Sequence, residues 1–148
     1  MAVQRSSWEG ADRMYIDNPE WPAPAANPEN LAFFTAASQG KLLYGRCHAC
    51  AQAHYYPRRI CPNCFSAEVE WVEAGGHGHI YSYTVLNGDA GERVLAFIEL
   101  DEGVRMLSNI VDARAQSLRI GAPVRVAFGR AGAVRVPVFV LDDTEAKA

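Results

Sequence analysis

The chain has 148 residues, 49% of them hydrophobic and 21% charged, a balance that lets a globular chain bury a core of its own. No run approaches the roughly 18 to 20 apolar residues of a membrane span. Residues 1–10 carry Arg5 and Glu9 where a signal peptide has its apolar block, so a cytoplasmic location is expected. The net charge of -3 argues against a general nucleic-acid binder, yet the charge is unevenly spread.

Residues 1–27 are rich in proline and alanine, and Pro19, Pro22 and Pro24 forbid a continuous helix. They predict an extended arm, with a short helical turn before it around residues 9–15. Asn27 then caps a helix, Pro28 takes the first position where no N–H is missed, and Gly40 closes it, which predicts a helix over 28–39. Leu31, Phe34 and Ser38 fall on one face with Thr35 beside them. So short a helix is marginal alone, and its face needs either its own domain or a partner protein.

From Lys41 the pattern breaks into short pieces: a strand over 42–46, a Cys-His-Ala-Cys turn, residues 54–56, a Cys-Pro-Asn-Cys turn, and a strand over 68–73. After Gly75, Gly76 and Gly78 come strands over 79–86, 93–100, 104–111, 123–128 and 134–141, separated by turn residues. The longest connector, 112–120, lies between the third and fourth. Five such strands suit a small closed barrel of the OB type, which removes exposed sheet edges; a small open sandwich is the competing architecture. The tail from Asp142 is expected to fray. The chain thus divides into an arm and helix (1–40), a metal ribbon (41–73) and a barrel (74–148), mainly β.

All four cysteines lie in the ribbon, as Cys47 and Cys50, then Cys61 and Cys64, with two residues inside each pair and ten between the pairs. Two such knuckles can bring four thiolates to the corners of a tetrahedron, as a structural zinc site requires. Disulfides compete, but a reducing compartment disfavours them. Iron also suits four sulfurs, although nothing else in the sequence asks for a redox role. A site filled by four thiolates leaves no open position for water or substrate, so the metal is architectural.

Residues 41–67 hold Lys41, Arg46, Arg58 and Arg59 and no acid. Arg58 and Arg59 follow Tyr55, Tyr56 and Pro57, so guanidinium and aromatic groups stand together, able to hold a phosphate and stack an adenine. The plainer alternative is a solubilised loop. His48, His54, His77 and His79 lack an activated nucleophile or a third ligand, and no nucleophile elbow, P-loop or dinucleotide glycine motif is present. The chain reads as a binder without a catalytic residue.

The order Phe33-Phe34, Gly40-Lys41-Leu42, Arg46-Cys47-x-x-Cys50, Tyr56-Pro57-Arg58, Cys61-Pro62-x-Cys64, Trp71, Gly76-x-Gly78 and Tyr81-Ser82-Tyr83-Thr84 resembles the acyl-CoA-associated family of zinc-ribbon and OB-fold proteins, domain of unknown function thirty-five. The resemblance runs over residues 28–141. It departs at Phe33-Phe34, where the family usually has Phe-Trp, and at His79, where a small β-former is common. It implies a rubredoxin-like zinc ribbon followed by a five-stranded OB-fold barrel. It further implies a non-catalytic accessory subunit of a thiolase-like, hydratase or aldolase enzyme acting on CoA thioesters; the acid-free basic run then makes Arg58 and Arg59, with Tyr55 or Tyr56 to stack, the expected contacts for acyl-CoA. The competing function is a nucleic-acid module, disfavoured by Glu92, Glu99, Asp101 and Glu102 on the central hairpin.

Overall fold

The computed structural model describes residues 15–17 and 19–142. Nine strands and one α-helix follow one another as β1 (Tyr15–Ile16), α1 (Leu31–Ser38), β2 (Leu43–Cys47), β3 (Ala53–His54), β4 (Val69–Glu73), β5 (His77–Gly88), β6 (Gly91–Leu100), β7 (Arg105–Ile110), β8 (Pro123–Ala131) and β9 (Val134–Leu141). The expected helical turn at 9–15 lies outside the described residues except Tyr15, which opens β1. The expected frayed tail lies outside them too, except Asp142, which is buried.

Strands β5 to β9 close into the five-stranded barrel that the sequence predicted. β5 pairs with β6, β6 with β7, β7 in parallel with β9, β9 with β8, and β8 back with β5. The alternation of apolar residues sends Ile80, Ile98, Met106, Val124, Phe128 and Phe139 inward, all essentially inaccessible to solvent. Closure demands a sharp bend, and β5 supplies it with a register shift between Ile80 and Ser82, a bulge that turns the strand. The long connector holds a single 3-10 turn at Ala115–Ser117.

Gly78 shows why the glycines entering the barrel are needed. It lies opposite Leu100, and a Cβ there would collide with the main-chain carbonyl of Glu99, which the β5–β6 ladder prevents from moving. Gly78→Ala is therefore expected to destabilise the fold by about 2 to 3 kcal/mol, seen as a lower urea midpoint at unchanged slope. An unchanged midpoint would show that the entry to β5 is slack.

The arm is extended, and its first described residues add a parallel strand to β8, Tyr15 opposite Phe128 and Ile16 opposite Gly129. Trp21 donates its N–H to the Arg130 carbonyl at 2.8 Å and lays its ring where a side chain on Gly129 would stand. Arg135 fastens the arm, helix and barrel together. Its guanidinium meets Asp17 at 2.8 Å and donates to the Ile16 and Phe128 carbonyls, while its N–H donates to Ser38 Oγ at 3.1 Å.

The expected cap at Asn27 forms, since its Oδ1 accepts the N–H groups of Glu29 and Asn30 at 2.9 and 3.0 Å. Residues 28–30 nevertheless stay in a turn, and the regular helix begins at Leu31. Its buried face is also different from the expected one. Phe33, Phe34, Ala36 and Ala37 are buried, whereas Leu31 is 57% exposed. The helix packs against both β9 and β2, so two neighbouring sides are covered and the apolar arc is wider than one stripe. The helix thus serves its own fold. Phe33 and Phe34 join Leu42 and Tyr44 of the ribbon and Ile80, Val126 and Phe139 of the barrel in one core.

Candidate metal centre and the adjoining groove

The ribbon is a three-stranded antiparallel sheet in the order β3-β2-β4, with a knuckle at each end of the loop 47–66. In the first knuckle Ala51 donates its N–H to the Cys47 carbonyl at 2.9 Å, and Cys47 donates to Gln52 at 3.0 Å. In the second, Phe65 donates to Cys61 and Cys61 to Ser66, each at 2.9 Å. The two are copies of one hydrogen-bonded loop. Each doubles back through a left-handed residue, Ala51 at φ 62° and Phe65 at φ 64°, positions that usually favour glycine.

The copies face each other and gather the four thiols as their spacing predicted. Cys47 Sγ lies 3.6 Å from Cys64 Sγ, Cys50 Sγ lies 3.7 Å from Cys61 Sγ, and all four sulfurs fall within 4.8 Å of one another. A tetrahedron with Zn–S bonds of about 2.3 Å has edges of about 3.8 Å, so the donor set fits zinc in both chemistry and spacing. Among the described residues no other group of histidine, cysteine or acidic side chains has this geometry.

The thiols perturb one another strongly. Burial raises the Cys61 thiol, but the Cys64 and Asn63 N–H groups and the thiols of Cys50 and Cys47 outweigh it and bring it down to about 7. For Cys64 the Ser66 N–H lowers the value, but burial and the other three thiols together push it up to about 12. Four sulfurs within 4.8 Å of one another disfavour joint ionisation, and a bound cation offsets that repulsion. With the cation bound, all four positions are taken by sulfur and none is left for substrate.

The histidines are placed away from this centre. His48 Nε2 meets Glu70 Oε2 at 3.1 Å on the surface, across the end of the β2–β4 ladder. His54 is buried, its ring lying over Gly45 in the space a side chain there would need, and burial lowers its pKa. His77 Nδ1 lies 3.3 Å from Asp142 at the barrel entrance, and His79 is exposed beside it.

Arg58 and Arg59 do share a concavity. A groove of about 520 Å³ runs between the start of α1 and the second knuckle, lined by Arg58, Arg59, Ile60, Val69 and Trp71 on the ribbon side and Glu29 on the helix side. The Arg59 N–H reaches Glu29 Oε1 at 3.5 Å, and neither guanidinium has an ion-pair partner among the described residues. Neither of the two tyrosines singled out in the sequence is among the residues lining this groove, and the Tyr55 ring packs instead 5.6 Å from that of Phe33. Burial, and then neighbouring Tyr56, pushes its hydroxyl well above the usual tyrosine range. Tyr56 is 45% exposed. Sequence reasoning missed Trp71 as a wall of this groove, although an aromatic in a half-buried strand was the available signal.

A four-thiolate ribbon joined by one core to a closed five-stranded barrel defines a zinc-ribbon and OB-fold protein. The description "ChsH2, rubredoxin-like zinc ribbon domain" matches residues 34–70, and "ChsH2, C-terminal OB-fold domain" matches residues 71–129. The chain is 36% identical over 90 residues to a DUF35 domain-containing scaffold protein of Methanothermobacter thermautotrophicus, covering 56% of this chain and 68% of that one. It belongs to the DUF35 family.

It is also 36% identical over 124 residues to a probable enoyl-CoA hydratase alpha subunit of Thermomonospora curvata. That match takes in 80% of this chain but only 39% of the relative's length. Among solved structures it is similar to a chain of the Ltp2-ChsH2(DUF35) aldolase, with TM-score 0.70 and 36% identity over 80% of this chain and 98% of that one. No helix among the described residues is long and apolar enough to cross a membrane.

Proposed function

We propose that this chain is a non-catalytic accessory subunit of a cytoplasmic enzyme acting on CoA thioesters, with a hydratase, aldolase or thiolase-superfamily subunit as its partner. The observation that carries this reading is the likeness to nearly the whole of a chain in the Ltp2-ChsH2(DUF35) aldolase. The alpha-subunit name of the hydratase relative and the scaffold name of the archaeal one point the same way. The chemistry of the chain agrees: its cysteines are committed to a closed site, and its histidines are buried or engaged with carboxylates, or, in the case of His79, exposed at the barrel entrance. A nucleic-acid role finds little support on the barrel, where Arg105 is engaged by Glu99 at 2.8 Å.

Purification of the tagged chain from its native host tests the proposal. A subunit of a CoA-thioester enzyme is expected in stoichiometric amount. A monodisperse chain without one, or one carrying nucleic acid, would overturn it.

Within this reading Arg58 and Arg59 hold the phosphates of CoA in the groove, and exposed Tyr56, two residues before Arg58 and outside the groove lining, is available to stack the adenine, while Tyr55 packs against Phe33. Each charged phosphate contact is worth about 1.5 to 3 kcal/mol. Replacing both arginines by alanine should therefore weaken CoA binding at least about tenfold by calorimetry, in the complex or in the single chain. Unchanged affinity in both settings would remove the two arginines from the site.

A further inference from the structure

β4 is an open edge. Its ladder to β2 has His48 donating to the Glu68 carbonyl at one end and Ala74 donating to the Leu42 carbonyl at the other, both at 2.8 Å. In an antiparallel ladder such bonded pairs alternate, so Glu70 and Val72 bond inward while Val69, Trp71 and Glu73 turn their N–H and C=O groups away from the sheet. Among the described residues none of these groups has a hydrogen-bond partner. The groove lies beside this edge, and the side chains of Val69 and Trp71 line it.

Resting on the accessory-subunit reading, we propose that the β4 edge is completed in the assembled enzyme by an extended segment of the partner subunit, added as a fourth strand of the ribbon sheet. A row of unmet main-chain donors and acceptors is complementary to another extended main chain. The strand's charges narrow the choice further. Glu70 lies on β4 and Glu68 immediately precedes it, on the face opposite Val69 and Trp71, and among the described residues only His48 meets Glu70, at 3.1 Å. Arg58 and Arg59 stand instead on the groove side with Val69 and Trp71. The incoming segment therefore turns basic residues to the Glu68 and Glu70 face and apolar ones to Val69 and Trp71. A second copy of β4 fits poorly, because it would crowd both sets of carboxylates onto one ladder.

The knuckle beside the groove offers further apolar surface. Phe65 is 79% exposed on a left-handed backbone, and Ile60 is 51% exposed. An aromatic ring so far turned to solvent is apolar surface that a partner can cover.

Hydrogen exchange on the purified complex tests the edge. The amides of Val69, Trp71 and Glu73 should exchange at least tenfold more slowly in the complex than in the free chain. Glu73→Pro, which removes only an outward N–H, should weaken assembly at least tenfold more than Glu73→Ala, with the metal content of both variants unchanged. An assembled complex whose three amides stay unprotected, or a Glu73→Pro complex as tight as the alanine one, would overturn the proposal. Absence of any CoA-processing subunit would count against the accessory reading instead.

A synthetic seven-residue peptide alternating valine and lysine decides the edge independently of the natural partner. It should shift the resonances of those three amides. A counterpart alternating valine and glutamate, and an N-methylated version, should bind at least tenfold more weakly. Equal binding of all three peptides, or no shift at these amides, would equally refute the proposed strand.

Discussion

Replacing Cys61 with serine is expected to release the metal and melt the two knuckles while the barrel stays folded. Structural zinc contributes about 10 to 16 kcal/mol of apparent binding free energy in small zinc modules, far more than the short strands of this ribbon could supply. Between Cys47 and Glu68 the core contains little besides Tyr55 and Ala53, both only partly buried, whereas β5 to β9 bury Ile80, Ile98, Phe128 and Phe139. Elemental analysis should find one zinc per parent chain and less in the variant. Amide exchange should become fast over 47–68 and remain slow in the barrel. An ordered ribbon in a metal-free preparation would contradict this.

Phe33→Ala should be among the most damaging substitutions outside the metal site, costing about 3 to 5 kcal/mol. The ring is 1% exposed, packed edge-on to Phe34 at 5.2 Å and tilted against Tyr55 at 5.6 Å, so its loss opens a cavity where helix, ribbon and barrel meet. An eight-residue helix has no stability of its own to offset that loss. The urea midpoint should fall sharply while the zinc content is retained. A loss under about 1 kcal/mol would mean that the joint is held elsewhere.

Much of this was legible in the sequence because its causes are local. Cysteine spacing and knuckle geometry are set within a few residues, so the metal ligands could be read directly. The alternation of apolar residues likewise revealed the five barrel strands. What escaped depends on partners distant in the chain. The buried face of α1 is set by two surfaces at once, which no single helical stripe expresses. Trp21 finds Gly129 across the molecule, and β8 runs on to Ala131 because its ladder with β9 continues through a stretch that reads as a turn. The groove joins Glu29 to Trp71, and the open edge of β4 follows from which neighbour the strand lacks.

The central claim is that this chain assists a CoA-thioester enzyme without turning substrate over itself. The most direct measurement is hydration, aldol cleavage and thiolysis of acyl-CoA substrates by the purified zinc-loaded chain, by its partner subunit and by the two together. The account predicts no turnover by the chain alone and higher activity or stability of the partner in the complex. Sustained turnover by the chain alone would contradict it.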